Sequence, residues 1–349
     1  MKVKKIFFVA FSFLFTSCCA FIDSSIRESR TKLAFAGNWN NSGGRKIADL
    51  EYRDRTDPYN TYDLFLPANN TTEKSKHLIL FIHGGGWMGG SKEEGEAYCE
   101  YFTSEGYVSA SINYTLLDGT YKPNIKSINE EVNLVIPAIK NKAAELGYPL
   151  TDMAIFGFSA GASQALFYTF TETKDKPVGN YGRSALPIKF IIDWSGPTSF
   201  NPDHWTADAG VYWILPPIVG LDGTNAGKAS LVAKFTGENV TAAMIEDGSA
   251  EALWDSVSPI HFVHPNIPPI LMCYGVYDGL VPYKQHQELL INKMKAMGLK
   301  EGLDEGGRFD KIVFENSGHG LHSDPTKLDE FKILAAKYCE KYFGLNAIK

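Results

Sequence analysis

Short apolar runs alternate with longer stretches of helical periodicity along most of this chain, and this alternation restricts the possible folds more than any other feature. Several runs are apolar at every position, as is typical of strands buried on both faces of a parallel sheet. The predicted strands cover residues 61–66, 77–82, 108–113, 153–158, 189–193, 270–274 and 311–315. The predicted helices cover residues 94–105, 126–146, 162–170, 283–297 and 326–342. The pattern predicts an α/β fold in which helices flank both faces of a mostly parallel central sheet.

One long connection interrupts the alternation. Residues 197–258 are rich in Trp, Tyr and Pro, and a stretch of this length between two strands predicts an inserted cap or lid. Its aromatic side chains either line an apolar acyl or aryl pocket or form the core of the cap. Trp194 and Trp205, together with Trp87, are the candidate pocket residues.

The first 45 residues differ from the rest. Three lysines within the first five residues precede an apolar run over residues 6–15, which predicts a secretory signal peptide over residues 1–17. The run is shorter than the ~20 residues that a membrane-spanning helix needs. Cys18 follows two small residues and resembles the lipidated cysteine of a bacterial lipoprotein; plain secretion and an uncleaved anchor are the alternatives. Residues 18–45 form a predicted polar spacer. The body is therefore expected outside the cytoplasm, touching a membrane only through a lipid anchor.

Composition and charge narrow the class of protein. The 349 residues are 44% hydrophobic and 21% charged, with a formal net charge of −6, so the chain lacks the basic field of a nucleic-acid-binding protein. Five cysteines are too few for a disulfide framework, and no His/Cys cluster has the spacing of a zinc site. We therefore expect a globular enzyme that needs no metal or nucleic acid. Its oligomeric state is not predicted.

The strongest chemical motif is Gly157-Phe158-Ser159-Ala160-Gly161. It follows an apolar strand and opens a helical stretch, which is the context of a sharp turn that exposes a nucleophilic serine above a sheet. The alternative is a helix that starts with small residues packed close to a strand.

A glycine-rich segment, His83-Gly84-Gly85-Gly86-Trp87, follows another buried strand. Its glycines also satisfy the spacing of a dinucleotide site, but the next predicted strand does not end in the acidic residue that such a site needs. Consecutive glycines instead let backbone N–H groups converge on a developing oxyanion. A purely structural turn is the remaining alternative.

Two polar residues follow the last two predicted strands. Asp278 comes after the strand at 270–274, and His319 lies in the segment Gly318-His319-Gly320 after the strand at 311–315. A serine needs a base to remove its proton, and the base needs a buried carboxylate, so the order Ser, Asp, His predicts a triad at one edge of the sheet. Asp255 and Asp324 are weaker candidates for the acid, as His322 is for the base.

These motifs together resemble the α/β-hydrolase superfamily, in its HGGG-type esterase and lipase branch, which includes hormone-sensitive-lipase-like, acetyl-esterase-like and feruloyl-esterase-like enzymes. The resemblance runs from about residue 46 to residue 349. It implies that Ser159 is the nucleophile, His319 the base and Asp278 the orienting acid. It also implies an oxyanion hole built from three backbone amides, those of Gly85, Gly86 and Ala160. Tyr274 and Thr115 depart from the residues that many relatives carry.

The resemblance implies a serine carboxylesterase that hydrolyses small to medium acyl esters through an acyl-enzyme and needs no cofactor. Its partner would be a small-molecule ester, with acetyl and feruloyl esters of carbohydrate among the candidates. A serine peptidase or amidase, including a formamidase-like enzyme, shares every motif and stays open as an alternative. A catalytically inactive binding protein is disfavoured because all three triad residues are present.

Overall fold

Eight strands form one sheet in the computed structural model, which describes residues 35, 38–53, 58–118, 122–177, 182–205, 223–304 and 306–345. In chain order the strands are β1 (Arg45–Glu51), β2 (Thr61–Leu66), β3 (His77–Ile82), β4 (Val108–Ile112), β5 (Asp152–Phe158), β6 (Ile188–Trp194), β7 (Ile270–Gly275) and β8 (Phe309–Phe314). The predicted signal peptide (1–17) and Cys18 lie outside the described residues.

The order of strands across the sheet is β1-β2-β4-β3-β5-β6-β7-β8. The pairs β1/β2 and β2/β4 are antiparallel and the remaining pairs are parallel, which confirms the predicted α/β fold with a mostly parallel sheet. From β3 the chain first adds β4 on one side and then returns to place β5 on the other side. Such a reversal opens a crevice at the carboxyl ends of the two central strands, which is where α/β sheets bind their ligands.

Helices cover both faces of this sheet, as predicted. Leu78, Leu80 and Ile82 of β3 belong to one apolar cluster, whereas Ile79 and Phe81 belong to another on the opposite face. The first cluster includes residues of α3 (Ile125–Glu145), α4 (Ala160–Thr173) and α8 (Gln287–Ala296), and the second includes residues of α2 (Glu96–Ser104) and α9 (Pro325–Tyr342). Because side chains alternate between two buried faces, residues 78–82 of this strand are all apolar.

The remaining described helices are α1 (Trp39–Ser42), α5 (Asn225–Thr236), α6 (Ala242–Glu246) and α7 (Glu251–Asp255). The last three lie between β6 and β7, in the stretch predicted to be a cap (197–258), and residues 206–222 of that stretch lie outside the described residues. The helices of the described chain include none that is both long and apolar enough to cross a membrane.

Two features near the predicted spacer (18–45) differ from expectation. Strand β1 was not predicted, because it is an edge strand with half of its side chains exposed and its polar sequence shows no apolar run. Phe35 is buried, with its ring 4.6 Å from that of Tyr98 and 5.9 Å from that of Phe331. The ring of Trp39 also lies 6.0 Å from that of Phe65. Among the described residues of this polar segment, Phe35 and Trp39 thus pack against the core.

Candidate active site

Ser159 occupies a sharp turn between β5 and α4. Its φ of 54° is left-handed, a conformation that residues other than glycine rarely adopt, and its backbone N–H donates to the carbonyl oxygen of Trp194 at 2.8 Å. The flanking glycines are required by space. A Cβ atom at Gly157 would lie 2.3 Å from the Gly161 carbonyl oxygen, and one at Gly161 would lie 2.0 Å from the carbonyl oxygen of Ile82. The G-x-S-x-G pattern therefore reflects close backbone contacts both across the turn and with β3.

His319 lies between Ser159 and Asp278. Its Nε2 atom is 2.8 Å from Ser159 Oγ, and its Nδ1 atom is 2.8 Å from Asp278 Oδ2. Since a carboxylate accepts the Nδ1 proton, Nε2 is left to accept the proton of the serine hydroxyl. The three predicted triad residues, far apart in sequence, are thus joined by hydrogen bonds through His319.

Asp278 is held by its own loop after β7. Its Oδ1 atom accepts hydrogen bonds from the backbone N–H groups of Leu280, at 2.9 Å, and Val281, at 2.8 Å. The side chain is completely buried. Backbone donors on one oxygen and His319 on the other leave the carboxylate with one orientation.

The alternative acids and base have other partners in the described chain. Asp255 pairs with His261 at 3.0 Å, and Asp324 accepts from the backbone N–H of Asn316 at 2.7 Å. The structure thus pairs His319 with Asp278, and it pairs Ser159 with His319 rather than with His322.

The glycine-rich segment lies beside Ser159 at the end of β3. Gly85 has a φ of 99° and Gly86 a φ of 63°, and no atom lies within 4 Å of where a Cβ of Gly86 would be. A Cβ of Gly84 would lie 2.8 Å from the ring of Phe158. The segment therefore packs against the serine turn, and its backbone is open at Gly86. This placement suits amides that face a reacting carbonyl, as does the N-terminus of α4 at Ala160.

His83 and Tyr114 support this segment from below. Their rings stack with centroids 4.2 Å apart, and the Tyr114 hydroxyl lies 3.1 Å from the His83 carbonyl oxygen and 3.2 Å from that of Gly84. Burial lowers the pKa of His83 to about 4, so the imidazole is neutral near pH 7. Its Nδ1–H donates to the Gly84 carbonyl at 2.8 Å.

Lys92 is a buried cation that the sequence did not single out as a support. Its Nζ atom is 2.8 Å from Asp63 and 2.9 Å from Asp49, and its backbone N–H donates to the side chain of Asn113 at 2.7 Å. These contacts attach the loop that follows the glycine-rich segment to β1, to β2 and to the residue after β4. The available signal is a lysine that follows Gly89, Gly90 and Ser91, at a place where no phosphate-binding motif fits.

The candidate pocket tryptophans separate into two groups. Trp87 and Trp205 belong to one aromatic cluster, defined by ring contacts of 4.7 to 6.1 Å among four residues. This aromatic cluster consists of Trp87, Phe200, Trp205 and Phe235. Trp194 was predicted with them, and this prediction was wrong. Its ring packs 4.7 Å from Phe331 on the opposite face of the sheet, because side chains alternate along β6.

In the part of the chain that the structure describes, no group of three or more His, Cys, Asp or Glu side chains has the arrangement of a metal site. The arrangement that is present joins a hydroxyl, an imidazole and a buried carboxylate beside glycine amides. Such an arrangement can carry out acyl transfer, because the imidazole is placed to take the proton of the hydroxyl.

Residues 62–294 match the BD-FAE family, and the chain belongs to this family of α/β-hydrolases. Esterase B from Lactobacillus Rhamnosis has a similar fold, with a TM-score of 0.65 and 16% identity over 94% of this chain and 94% of that one. A truncated carbohydrate esterase from gut microbiota has a TM-score of 0.60 and 18% identity over 85% of this chain and 97% of that one. At these identities the likeness shows a shared fold.

Among curated proteins, the juvenile hormone esterase of Heliothis virescens is 28% identical over 117 residues, which cover 32% of this chain and 21% of that protein. The chain spans less than half the length of the curated relatives it matches.

Proposed function

We propose that this protein is a carboxylic ester hydrolase in which Ser159 is the nucleophile. The observation that supports this most directly is the pair of 2.8 Å hydrogen bonds that His319 makes, one to Ser159 Oγ and one to Asp278 Oδ2. Membership of the BD-FAE family and similarity to several esterases support the same reaction.

In the proposed mechanism, Ser159 Oγ attacks the ester carbonyl carbon while His319 Nε2 takes the hydroxyl proton. Asp278 stabilises the imidazolium that forms. His319 then returns the proton to the leaving alcohol, and a water molecule repeats the cycle on the acyl-enzyme. No step needs a metal ion or an organic cofactor.

The negative charge on the carbonyl oxygen would be stabilised by the amides of Gly85, Gly86 and Ala160. The left-handed φ values of the two glycines and the position of Ala160 in the first turn of α4 support this assignment. Fixed donors of this kind cost no reorganisation when the charge develops.

The proposed substrates are small to medium acyl esters, with acyl groups on carbohydrate as candidates. The aromatic cluster beside the glycine-rich segment supports an apolar acyl or aryl group, and a carbohydrate esterase is among the proteins of similar fold. A series of p-nitrophenyl esters of increasing acyl length tests this. We expect activity to decline at long chains, and activity that rises steadily past ten carbons would indicate a lipase.

The assignment of Ser159 is tested by the variant Ser159→Ala. We expect it to fold normally and to lose ester hydrolysis by about 10⁴-fold or more. Wild-type protein should react covalently with a fluorophosphonate probe, and the variant should not. Substantial turnover by the folded variant would contradict the proposal. Anilide substrates assayed beside the matched esters test the amidase alternative, which requires comparable rates for both.

We also propose that a lipid on Cys18 attaches the enzyme to a membrane outside the cytoplasm. The basic start, the short apolar run and the small residues before Cys18 support this. Cys18→Ser should move the protein from the membrane fraction to the soluble fraction of expressing bacteria. An unchanged distribution would contradict the lipid anchor.

A further inference from the structure

A carboxylic acid lies within the apolar centre of the sheet. Asp193 is fully buried in β6, where it pairs with Gly157 of β5 on one side and with Met272 of β7 on the other. A buried carboxylate that carries a charge needs a cation as partner. The described residues supply no cation to Asp193; its polar contacts are with Tyr274 and Gly196.

The hydrogen bonds of Tyr274 indicate where the protons lie. Its hydroxyl oxygen is 2.9 Å from Asp193 Oδ2 and is also hydrogen-bonded to the carbonyl oxygen of Gly196. The hydroxyl has a single proton, and a carbonyl oxygen can only accept, so that proton serves the bond to Gly196. The contact between the Tyr274 and Asp193 oxygens then requires a second proton, which only Asp193 can carry.

The groups around Asp193 agree with this count. Strand β7 contributes Tyr274 and Cys273, strand β5 contributes Gly157, and α4 contributes Ser163 through its contact with Gly196. Burial, together with the proximity of Asp193, raises the pKa values of the tyrosine hydroxyl and the cysteine thiol, so both are neutral. Burial also raises the pKa of Asp193 to about 7.

This hydrogen-bonded group lies directly behind Ser159. The Gly196 N–H donates to Asp193 Oδ1 at 2.9 Å, so the acid holds both polar groups of Gly196, one directly and one through Tyr274. Gly196 is packed on the first turn of α4, where an added Cβ would lie 2.9 Å from the N atom of Ser163. Two residues before Gly196, at the end of β6, the Trp194 carbonyl accepts a hydrogen bond from the Ser159 N–H.

We propose that Asp193 is held as a neutral acid and that, with Tyr274, it is a positioning residue for Ser159. The acid donates to Tyr274, Tyr274 donates to the Gly196 carbonyl, and the turn over residues 194–196 thereby supports the serine. When Asp193 loses its proton, the Tyr274 hydroxyl turns to the carboxylate and the Gly196 carbonyl loses its donor. The turn behind the nucleophile is then less well fixed.

Two substitutions of similar size distinguish the effect of the hydrogen bonds of Asp193 from the effect of the space that its side chain fills. In Asp193→Asn, the amide N–H replaces the acid proton toward Tyr274, its oxygen still accepts from Gly196, and nothing titrates. Asp193→Leu fills the space without either bond. We expect the Asn variant to keep most of kcat for an acetate ester at pH 6, and the Leu variant to lose between about tenfold and a hundredfold in kcat with little change in KM. Equal losses in both variants would overturn the proposal.

The pH dependence of thermal stability tests the protonation of Asp193, because a purely structural role of this residue would not make stability depend on pH. Because the pKa of Asp193 is higher in the folded chain than in the unfolded one, its contribution is complete at low pH and is lost as pH rises toward about 7. The melting temperature of wild type should therefore fall relative to Asp193→Asn as pH rises from about 4 to about 7. A constant difference over that range would overturn the proposal.

Infrared spectroscopy decides the protonation state directly. At pH 6 the wild type minus Asp193→Asn difference spectrum should contain the stretch of a protonated carboxyl group, and its absence would refute the neutral acid. The kinetic comparison rests on the proposed function, whereas the thermal and infrared measurements do not. A wild-type protein without esterase activity would therefore contradict the proposed function and leave these two measurements to decide on Asp193. If the Leu variant does not fold, the thermal and infrared measurements still test the proposal.

Discussion

A position can require glycine for two reasons: its backbone has a left-handed φ, or a Cβ atom would clash with a neighbour. Four glycines around the site differ in which of these reasons applies. Gly89 has neither constraint, since its missing Cβ would be 3.8 Å from the nearest atom. Gly86 has only the left-handed φ, and Gly161 has only the clash, at 2.0 Å from Ile82 O. Gly85 has both, with a φ of 99° and a Cβ position 2.2 Å from Gly89 O. Alanine should therefore leave activity unchanged at Gly89 and reduce it in a graded order at Gly86, Gly161 and Gly85.

The magnitudes follow from these distances. Cβ atoms rarely approach another heavy atom closer than 3.0 Å, so Gly161→Ala must move α4 or the end of β3 by about 1 Å. Helix α4 is buried at nearly every position and cannot tilt freely. A 1 Å displacement of the serine should cost about 10²-fold in kcat/KM, and overpacking should cost about 1–3 kcal/mol of stability. Gly86→Ala should cost about 1–2 kcal/mol of stability, and Gly85→Ala about 10²–10³ in kcat.

The assay is hydrolysis of p-nitrophenyl acetate by the four purified variants, with thermal melting as a check on folding. We expect Gly89→Ala to match wild type, followed by Gly86→Ala, then Gly161→Ala, and finally Gly85→Ala with the lowest rate. A folded Gly161→Ala variant with wild-type kcat/KM would refute the reasoning. The contact between α4 and β3 would then not determine where the serine hydroxyl lies.

Two further predictions concern stability. The pKa values of buried His83 and His286 are lowered to about 4 and about 3. The unfolded chain therefore takes up these protons first, and stability should be lost as pH falls from about 6.5 toward 4, by about 1.4 kcal/mol per pH unit and histidine. Urea denaturation of Asp193→Asn, in which residue 193 does not titrate, measures this, and a flat profile would contradict it. Lys92→Met leaves the buried carboxylate of Asp63 without one of its cations and should lower stability by about 3 kcal/mol. The control is Lys142→Met, in an exposed pair with Glu145, which should change stability by less than about 1 kcal/mol. Equal effects of the two substitutions would show that burial of the pair does not matter.

The strands of the parallel sheet could be predicted because they are buried on both faces. Burial on two sides favours apolar side chains, so residues 78–82 of β3 and 270–273 of β7 are continuous apolar runs in the sequence. The same reasoning misses β1, whose polar sequence and exposed or half-buried side chains carry no apolar signal. The pattern that identifies an interior strand is therefore uninformative at the edge of the sheet.

The side on which a residue lies was harder to predict. Trp194 and Trp205 are both aromatic and close in sequence, yet they lie in different clusters because Trp194 ends a strand and points to the opposite face. The role of Asp193 could not be predicted for a related reason. A single carboxylate at the end of an apolar run resembles the start of a loop, and its role depends on Tyr274, which lies on the neighbouring strand and 81 positions away in the chain.

Sheet register is what converts three separate motifs into one site. Ile82 is opposite Gly157, and Gly275 is opposite Phe314. The loops that carry the glycine-rich segment, Ser159, Asp278 and His319 therefore all begin at the same edge of the sheet. A slip of one residue between two strands would turn every following side chain to the other face. Motif spacing along the chain predicts which residues take part, but their contact depends on this register, which is specified by the apolar side chains packed on both faces of the sheet. The accuracy of the site is therefore a property of the core below it, and substitutions that loosen β5 or β7 should impair catalysis without touching any residue of the triad.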